Sequence, residues 1–534
     1  MRKVSARGFK LNSIHGDAYE SHIRGKKIVF IVTPVANPLY LRYVADIVTR
    51  SIKIVNTKIN LVNLVNVNFE FNSKKELPGG STAKSQAQIL QTIADTNRHS
   101  IKLSTIDANL YFNPKKSLMS KCKKISDLKK ISDYSKYLSN SVQSVLSTTY
   151  VKSANPNTNL KRYRKIVQYL EADFIKSYDS IKNLICMNDF ESVIFLNGRW
   201  PAEAAIRYAC IESGTDFLSL EHGMPRGLSY HLEPFQTQER DLKQRFLIQK
   251  RAEYTDQEIH RESDVWLVNQ RLNIEQNVFL GKKTSQNLKS QASEIVFFTS
   301  SVDENIGSPG YLNDGWSTQH EAIYELGPKL KTMGFHLIVR IHPNALNKGW
   351  PDLFHLIKSC KSTGTKCLLP TANVSTYDLL DNTQRVIVWK STLGLEASAL
   401  GKYVYLIAEN DYDEMIDACR LRPGFKDFPL VWNVESLKSR YAICYKKKNG
   451  YLLNDIPLAE PIEIKLRENE EKSKSVWQEY LESNRRRTLV KTLLLQSSLT
   501  PGELLGVLRR LCGMKLGTAI FEILLKSGAI LSKH

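Results

Sequence analysis

The sequence contains no run of 18 or more apolar residues, so we predict no segment that crosses a bilayer as a helix. Its eight cysteines include no Cys-x-x-Cys pair, and no two histidines stand at zinc-ligand spacing. The cysteines are scattered, and several lie in apolar runs such as LICM, which is typical of small buried thiols in a reducing compartment. These absences argue against a disulfide framework and against a structural zinc site.

The amino-terminal stretch MRKVSARGFKLNSIHGDAYE has no apolar segment of the kind that a secretory signal contains. We therefore expect a cytoplasmic protein. The composition is 42% hydrophobic and 24% charged, which is that of a globular protein and excludes a disordered or fibrous one. At 534 residues the chain is too long for a single core, and two domains of roughly 200 residues with extensions are expected.

The charge is unbalanced, with 75 Lys and Arg against 54 Asp and Glu and a formal net charge of +21. Such an excess predicts attraction to an anionic partner, which could be a phosphorylated small molecule, an acidic membrane surface or nucleic acid. The basic runs hold mainly lysine with few aromatic residues, which argues against nucleic acid. In the tail TPGELLGVLRRLCGMKLGTAIFEILLKSGAILSKH, basic and apolar residues alternate as in an amphipathic helix on an anionic membrane. A helix packed on the amino-terminal domain is the alternative interpretation.

Strand and helix patterns alternate in two separate parts of the chain, which predicts an α/β protein with two Rossmann-like, doubly wound sheets. In the first part, the strand KKIVFIVTPV is followed by the helix PLYLRYVADIVTRSI and the strand KINLVNLVNV. In the second part, five strands alternate with helices from SEIVFFTSS to KYVYLIA. The predicted divisions are a polar lead over 1–25, a first domain over 26–235 with a basic helical insertion at 113–170, a bridge over 236–290, a second domain over 291–460 and charged or amphipathic helices over 461–534.

Polar residues follow the predicted strands of the second domain, at the edge where parallel sheets bind ligands. Arg340 and His342 stand two apart, so they point to the same side of an extended strand and could bind one anion. The predicted ligands at this edge are Ser300 and Ser301 after the first strand, Arg340, His342, Pro343 and Asn344 after the second, and Ser391 and Thr392 after the fourth.

The stretch KSTLGLEASALG, which follows the fourth strand, predicts a helix with Ser391 or Thr392 as its N-cap. A helix start of this kind favours a phosphate, and Glu396 in the first turn could accept hydroxyl groups of a sugar. The alternative is a well-capped helix in which Glu396 completes a turn like a capping box.

In the first domain, two strands end in Asn197-Gly198-Arg199 and in Glu221-His222-Gly223. Glu221 could act as a general base or nucleophile, and His222 as an acid or a phosphate contact. Asn197, Gly198 and Arg199 would line the acceptor side or the cleft. The alternative is that both segments are ordinary polar turns.

Five stretches in this order, FFTSSVDENIG, WSTQHEAIYEL, LIVRIHPN, STYDLLDN and VIVWKSTLGLEASALGKYV, resemble the carboxyl-terminal half of the capsule polysaccharide biosynthesis transferase family. FLNGRWPAEAAIRYACIESGTDFLSLEHG is similar to the glycine-arginine and glutamate-glycine motifs of the same family. The likeness extends over about residues 185–410.

The resemblance implies a GT-B fold, with two Rossmann-like domains facing across a cleft and the nucleotide sugar held mainly by the second. It also implies a glycosyltransferase acting in capsule or lipopolysaccharide-type synthesis, with a CMP-linked donor such as that of 3-deoxy-manno-octulosonic acid (Kdo). His342, Pro343, Ser391 and Thr392 would then bind the donor phosphate, supported by Arg340 and Glu396, while Glu221 would be catalytic. A lipid-linked acceptor would place the enzyme at the inner face of the cytoplasmic membrane.

Two other functions fit the same residues. One is a polyol-phosphate transferase of the CDP-glycerol type, which has a related fold and also uses a His-Pro turn. The other is a non-catalytic scaffold of a polysaccharide assembly complex that binds nucleotide sugars. No cofactor is expected: Asp411-x-Asp413 has the spacing of a metal-binding motif, but its position after the last strand does not suit one.

Overall fold

A computed structural model gives the fold of the chain. The residues that the structure describes are 25–33, 39–53, 59–65, 83–107, 134–146, 163–223, 229–235, 240–272, 293–300, 315–342, 345, 350–370, 372, 374–409, 412–429, 435–448, 450–452 and 457–471. The polar lead, most of the predicted basic insertion and the amphipathic tail therefore lie outside the described residues.

The first sheet has seven strands, of which five are parallel neighbours in the order β3-β2-β1-β4-β5. The sixth and seventh strands continue the sheet in antiparallel fashion beyond β5. The strands are β1 Ile28–Val32, β2 Ile59–Val65, β3 Ile101–Asp107, β4 Ser192–Leu196, β5 Asp216–His222, β6 Ser229–Glu233 and, from far along the chain, β13 Tyr451–Leu452.

Helices cover both faces of this sheet because its central strand is apolar on both sides. Ile28, Phe30 and Val32 of β1 pack into one core, and Val29 and Ile31 into the opposite one, as the alternation of a strand requires. The helices of the first domain are α1 Leu39–Lys53, α2 Ala83–Thr96, α3 Tyr134–Val145, α4 Arg164–Asn188 and α5 Pro201–Ser213.

In the described part of the chain, the second sheet has six strands, and each neighbouring pair of strands in it is parallel. Its order is β9-β8-β7-β10-β11-β12, and the first five of these strands repeat the order β3-β2-β1-β4-β5 of the other sheet. The strands are β7 Glu294–Phe298, β8 His336–Arg340, β9 Lys366–Leu368, β10 Arg385–Val388, β11 Tyr403–Leu406 and β12 Cys419–Arg420.

The helices of the second domain again form a layer on each face of the sheet. One layer packs on Ile387 of β10, and the other on Val386 and Val388 of the same strand. The helices are α6 Arg240–Lys250, α7 Asp256–Leu272, α8 Gln319–Thr332, α9 Trp350–Thr363, α10 Thr376–Asn382, α11 Leu393–Ala399 and α12 Leu437–Lys448.

The segment predicted as a bridge packs with the second domain. Phe246 and Leu247 of α6 and Ile259 and Trp266 of α7 are buried in the core that also contains Val386. Their apolar residues are few and widely spaced, so the sequence alone does not distinguish a packed helix from a linker. The finding assigns 240–272 to the second domain's core rather than to a linker between the two.

The chain returns to the first domain after α12. The short strand β13 pairs with β6, and a helix that follows it, α13 (residues 460–471), places Ile462 and Leu466 in the core of the first sheet. Arg42 of α1 fixes this helix through ion pairs with Glu463 at 2.9 Å and Glu470 at 2.8 Å. The pairing of β13 with β6 places residues 451–452 in the first domain, whereas the predicted division placed them in the second domain, over 291–460.

The prediction of a GT-B-like fold with two Rossmann-like domains is confirmed.

Candidate functional site

Those predicted ligands of the second domain that the structure describes follow strands at one edge of its sheet. The strands β8, β7 and β10 are adjacent and parallel, so the segments that follow them leave the sheet at the same edge. The point between β7 and β10 is also where the strand order reverses, which is the usual ligand position in open α/β sheets. His342 follows β8 and Ser391 follows β10, on the two sides of β7. The strands β8 and β10 are two interstrand spacings apart, about 10 Å.

A hydrogen bond ties the ends of β7 and β8 together. The backbone N–H of His342 donates to Oγ1 of Thr299, at 2.8 Å. The next residue, Ser300, is held by the side-chain amide of Gln319, which accepts from its N–H at 2.8 Å and donates to its carbonyl at 2.9 Å. The backbone at Ser300 and His342 is therefore fixed by side chains, while Ser301, Pro343 and Asn344 lie outside the described residues.

Arg340 is buried behind this edge. Its side chain is only 4% exposed and donates to the carbonyl of Leu369. Burial lowers the pKa of the guanidinium to about 10, so the group keeps its charge at neutral pH. Arg340 can thus supply positive potential to a ligand at the edge, although one of its Nη groups is already bonded to the protein.

At the end of β10 the backbone is in an unusual conformation. Lys390 has φ of +49°, in the left-handed region that is costly for a residue other than glycine. The predicted helix forms as α11, with Thr392 as its backbone N-cap. The capping side chain is that of Ser391, whose Oγ accepts from the N–H of Leu393 at 3.2 Å.

Glu396 lies in the first turn of α11 and is 5% exposed. Burial raises the pKa of its carboxyl to about 7, and a hydrogen bond from Tyr377 together with the charges of Arg271 and Lys446 limits the increase. One carboxyl oxygen has no hydrogen-bond partner among the described residues. Glu396 is therefore a buried acid that titrates near neutral pH, surrounded by α7, α10 and α12.

The two predicted strand ends of the first domain are in contact. The side-chain amide of Asn197, after β4, donates to the carboxylate of Glu221 at the end of β5. The same carboxylate accepts from the N–H of His222 at 2.9 Å and from the hydroxyl of Tyr40 at 3.3 Å. Three donors thus fix the orientation of Glu221.

His222 is held by two tyrosines of α1 that the sequence analysis did not select. Its Nδ1 is 2.9 Å from the hydroxyl of Tyr43, and its ring lies against that of Tyr40 with centroids 4.6 Å apart. The bond to Nδ1 sets which tautomer of the ring is present. The only available signal was the position of two tyrosines three residues apart on the helix that follows β1.

Two glycines at these strand ends are required by the backbone. Gly198 has φ of +75° and follows Asn197, whose φ is +48°. A Cβ on Gly223 would be 2.4 Å from the hydroxyl of Ser229 and 2.9 Å from the backbone that follows it. Gly223 therefore allows β5 and β6 to meet directly after Glu221 and His222.

A buried carboxylate near the end of β1 was not predicted from the sequence. Glu203, in the first turn of α5, accepts a hydrogen bond from Thr33 at the end of β1. Burial raises the pKa of Glu203, and the Thr33 hydroxyl and the charge of Arg199 oppose the increase. Glu203 and Glu396 occupy equivalent places, since each lies in the first turn of the helix that follows the strand at the reversal point of its sheet.

Asp413, from the weak metal motif, is engaged by arginines. Its carboxylate pairs with Arg240 of α6 at 3.2 Å and with Arg420 of β12. Glu409 lies 4.0 Å from Arg240 and 3.8 Å from Arg420. Within the described ranges, no group of three His, Cys, Asp or Glu side chains is arranged to hold a metal ion.

No family model matches the sequence, and no curated protein matches it. Similar solved structures include two transferase modules of Thermosulfurimonas dismutans KpsC. The β-Kdo 2,7 transferase is 13% identical with a TM-score of 0.33, and the match covers 54% of this chain and 87% of that one. The β-Kdo 2,4 transferase is 15% identical with a TM-score of 0.33, covering 52% and 88%.

The UDP-GlcNAc 2-epimerase of Neisseria meningitidis, solved with UDP-GlcNAc, is also similar: it is 11% identical with a TM-score of 0.26, covering 85% of this chain and 100% of that one. Among the described residues, no helix is long and apolar enough to cross a membrane.

Proposed function

We propose that this chain is a GT-B glycosyltransferase of surface polysaccharide biosynthesis, which transfers a sugar from a nucleotide-activated donor to a glycan or glycolipid acceptor. The observation that carries the proposal is the shared edge of β8, β7 and β10, where an imidazole and two hydroxyl-bearing residues follow neighbouring strands. The donor phosphate would bind between His342 on one side and Ser391 and Thr392 on the other. The charge of Arg340 behind this edge would favour the anion.

The acceptor would react at the end of β5. Glu221, oriented by Asn197, Tyr40 and the N–H of His222, would accept the proton of the attacking hydroxyl or act as the nucleophile. His222 would contact the phosphate or donate a proton to the leaving group. The motif resemblance favours a CMP-linked donor of the Kdo class, and the net charge of +21 supports an acceptor at an anionic membrane surface.

Nucleotide release from a panel of donors tests this proposal. CMP-Kdo, CDP-glycerol, UDP-sugars and GDP-sugars would be supplied with and without a glycan acceptor. We expect release of CMP from CMP-Kdo. Turnover of CDP-glycerol alone would instead indicate the polyol-phosphate transferase, and interconversion of UDP-GlcNAc at C2 would indicate an epimerase.

Matched variants separate catalysis from donor binding. We expect Glu221→Gln to bind donor but to lose at least about 100-fold in kcat, and His342→Ala to bind donor more weakly. The controls are Glu191→Gln, directly before β4, and His336→Ala, at the start of β8. Both residues lie at the sheet edge opposite to the one that carries the candidate site. Donor binding without turnover, with no effect of Glu221→Gln on product in the complete pathway, would overturn the proposal in favour of a scaffold.

A further inference from the structure

Two thiols lie in contact beside β8. Cys360 is in the last turn of α9, Cys367 is in the middle of β9, and Cys367 packs against the apolar cluster that contains Cys360. The two thiols form a hydrogen bond with each other. The turn that joins these elements is held by the N–H of Thr365, which donates to the carbonyl of Cys360 at 2.9 Å. Cys360 is buried, whereas Cys367 is half-buried, so Cys367 is the more accessible residue of the pair.

The surroundings favour the thiolate form at Cys367. The hydrogen bond from Cys360 and, to a lesser degree, the guanidinium of Arg340 lower the pKa of Cys367, while burial opposes them. The same hydrogen bond and burial raise the pKa of Cys360. The thiolate is the form of cysteine that acts as a nucleophile, so the direction of these pKa shifts favours reaction at Cys367 over Cys360.

We propose that Cys360 and Cys367 are an oxidisable dithiol, in which Cys367 reacts with a hydroperoxide and Cys360 then closes a disulfide. The Cys367 thiolate attacks one oxygen of the hydroperoxide, the O–O bond breaks, and a sulfenic acid forms while the second oxygen leaves as water or an alcohol. The Cys360 sulfur then attacks the sulfenic sulfur, the S–S bond forms, and the hydroxyl leaves with the Cys360 proton as water. The two thiols lose two electrons and two protons, and the hydroperoxide is reduced.

The dithiol lies next to a predicted donor ligand. The carbonyl of Leu369, two residues after Cys367, accepts the hydrogen bond of Arg340. Val339, which precedes Arg340 in β8, is the sheet partner of Cys367. Closure of the bond would therefore act on the segment that holds Arg340. The chemistry of the pair does not depend on the proposed function, so it can be tested whether or not a donor is turned over.

Mass spectrometry of the full chain tests the proposal. The reduced protein is treated with hydrogen peroxide, its remaining thiols are alkylated, and it is digested with trypsin without reduction. Cleavage after Lys358, Lys361, Lys366 and Arg385 gives the peptides 359–361 and 367–385. We expect these two peptides to be recovered as one disulfide-linked species, two hydrogens lighter than their sum.

Single variants identify the thiol that reacts first. With Cys360→Ser, we expect dimedone to trap a sulfenic acid at Cys367, and with Cys367→Ser, no trapping at Cys360. The matched control is Cys419→Ser, which removes another half-buried thiol and should leave the linked species unchanged. The proposal is overturned if the exposed Cys186 is oxidised in the wild-type sample without any linked species, or if dimedone labels Cys360 in Cys367→Ser and not Cys367 in Cys360→Ser.

Discussion

The side-chain amide of Asn197 donates a hydrogen bond to the carboxylate of Glu221, and so joins the ends of two neighbouring strands of the first sheet. Asn197 is one of three residues other than glycine with positive φ among the described residues. Asparagine tolerates this conformation better than most residues do. One side chain therefore satisfies two requirements, a left-handed turn directly after β4 and a donor aimed at the candidate catalytic group.

Replacing Asn197 separates these two requirements. Asn197→Gly keeps the left-handed turn but removes the donor to Glu221, whereas Asn197→Ala removes the donor and adds backbone strain of about 1 kcal/mol. Since a hydrogen bond to a charged group contributes roughly 1.5–3 kcal/mol, we expect both variants to lose about 10- to 100-fold in kcat. The unfolding temperature should be lower for Asn197→Ala than for Asn197→Gly. Full activity in Asn197→Gly would show that the amide does not support Glu221.

Gly223, directly after β5, is expected to tolerate no side chain. A Cβ there would be 2.9 Å from backbone atoms at Ser229 and Tyr230, which cannot move aside as a flexible side chain can. We expect Gly223→Ala to destabilise the first domain by about 2 kcal/mol or more, as overpacked sites do, and to displace Glu221 and His222. The control is Gly214→Ala, where no atom lies within 4 Å of the added Cβ and the expected cost is only that of its φ of +67°, about 1 kcal/mol. Equal changes in the unfolding temperature of both variants would contradict the steric argument.

Glu396 should make stability depend on pH. Burial raises the pKa of Glu396 to about 7 in the folded protein, so the folded state binds its proton more tightly than the unfolded state does. The free energy of unfolding should therefore fall as the pH rises from about 4.5 to 7, by roughly 3 kcal/mol from this group alone. Glu396→Gln removes this contribution, so we expect its unfolding temperature to gain on that of the wild type between pH 5 and pH 7.5. A difference in unfolding temperature that stays constant over this pH range would contradict the prediction.

The sequence predicted the two alternating halves of the fold because their strands are apolar on both faces and end in polar or turn-forming residues. It also predicted the strand ends at Asn197, Glu221, His342 and Ser391, since ligand edges of parallel sheets follow from chain direction alone. It did not predict that β13 and α13 return to the first domain. That arrangement depends on contacts such as Arg42 with Glu463, which join residues far apart in the chain and leave no periodic pattern.

The residues that hold Glu221 and His222 in place could not be predicted from the sequence, for a similar reason. In the sequence, Tyr40 and Tyr43 have the spacing of apolar positions in an amphipathic helix. Their contact with His222 arises only because β1, β4 and β5 are adjacent in the sheet. Buried Glu203 and Glu396 were ambiguous as well, because a glutamate in a first helical turn is common in any capped helix. Sequence periodicity thus indicates which face of an element is buried, but not which distant residue meets it there.

Tyr43 is expected to fix the tautomer of His222, because its hydroxyl lies 2.9 Å from Nδ1 and no such group remains in Tyr43→Phe. We expect this variant to change the nitrogen chemical shifts of His222 in protein labelled with ¹⁵N-histidine, and to lower kcat more than it raises KM. The resonance of His222 is assigned from its loss in His222→Gln. Tyr169→Phe, at an exposed position on α4, is the matched control and should leave both readouts unchanged. Unaltered ¹⁵N shifts in Tyr43→Phe would show that the hydroxyl does not select the tautomer. This measurement needs no substrate, so it does not depend on which nucleotide sugar the protein uses.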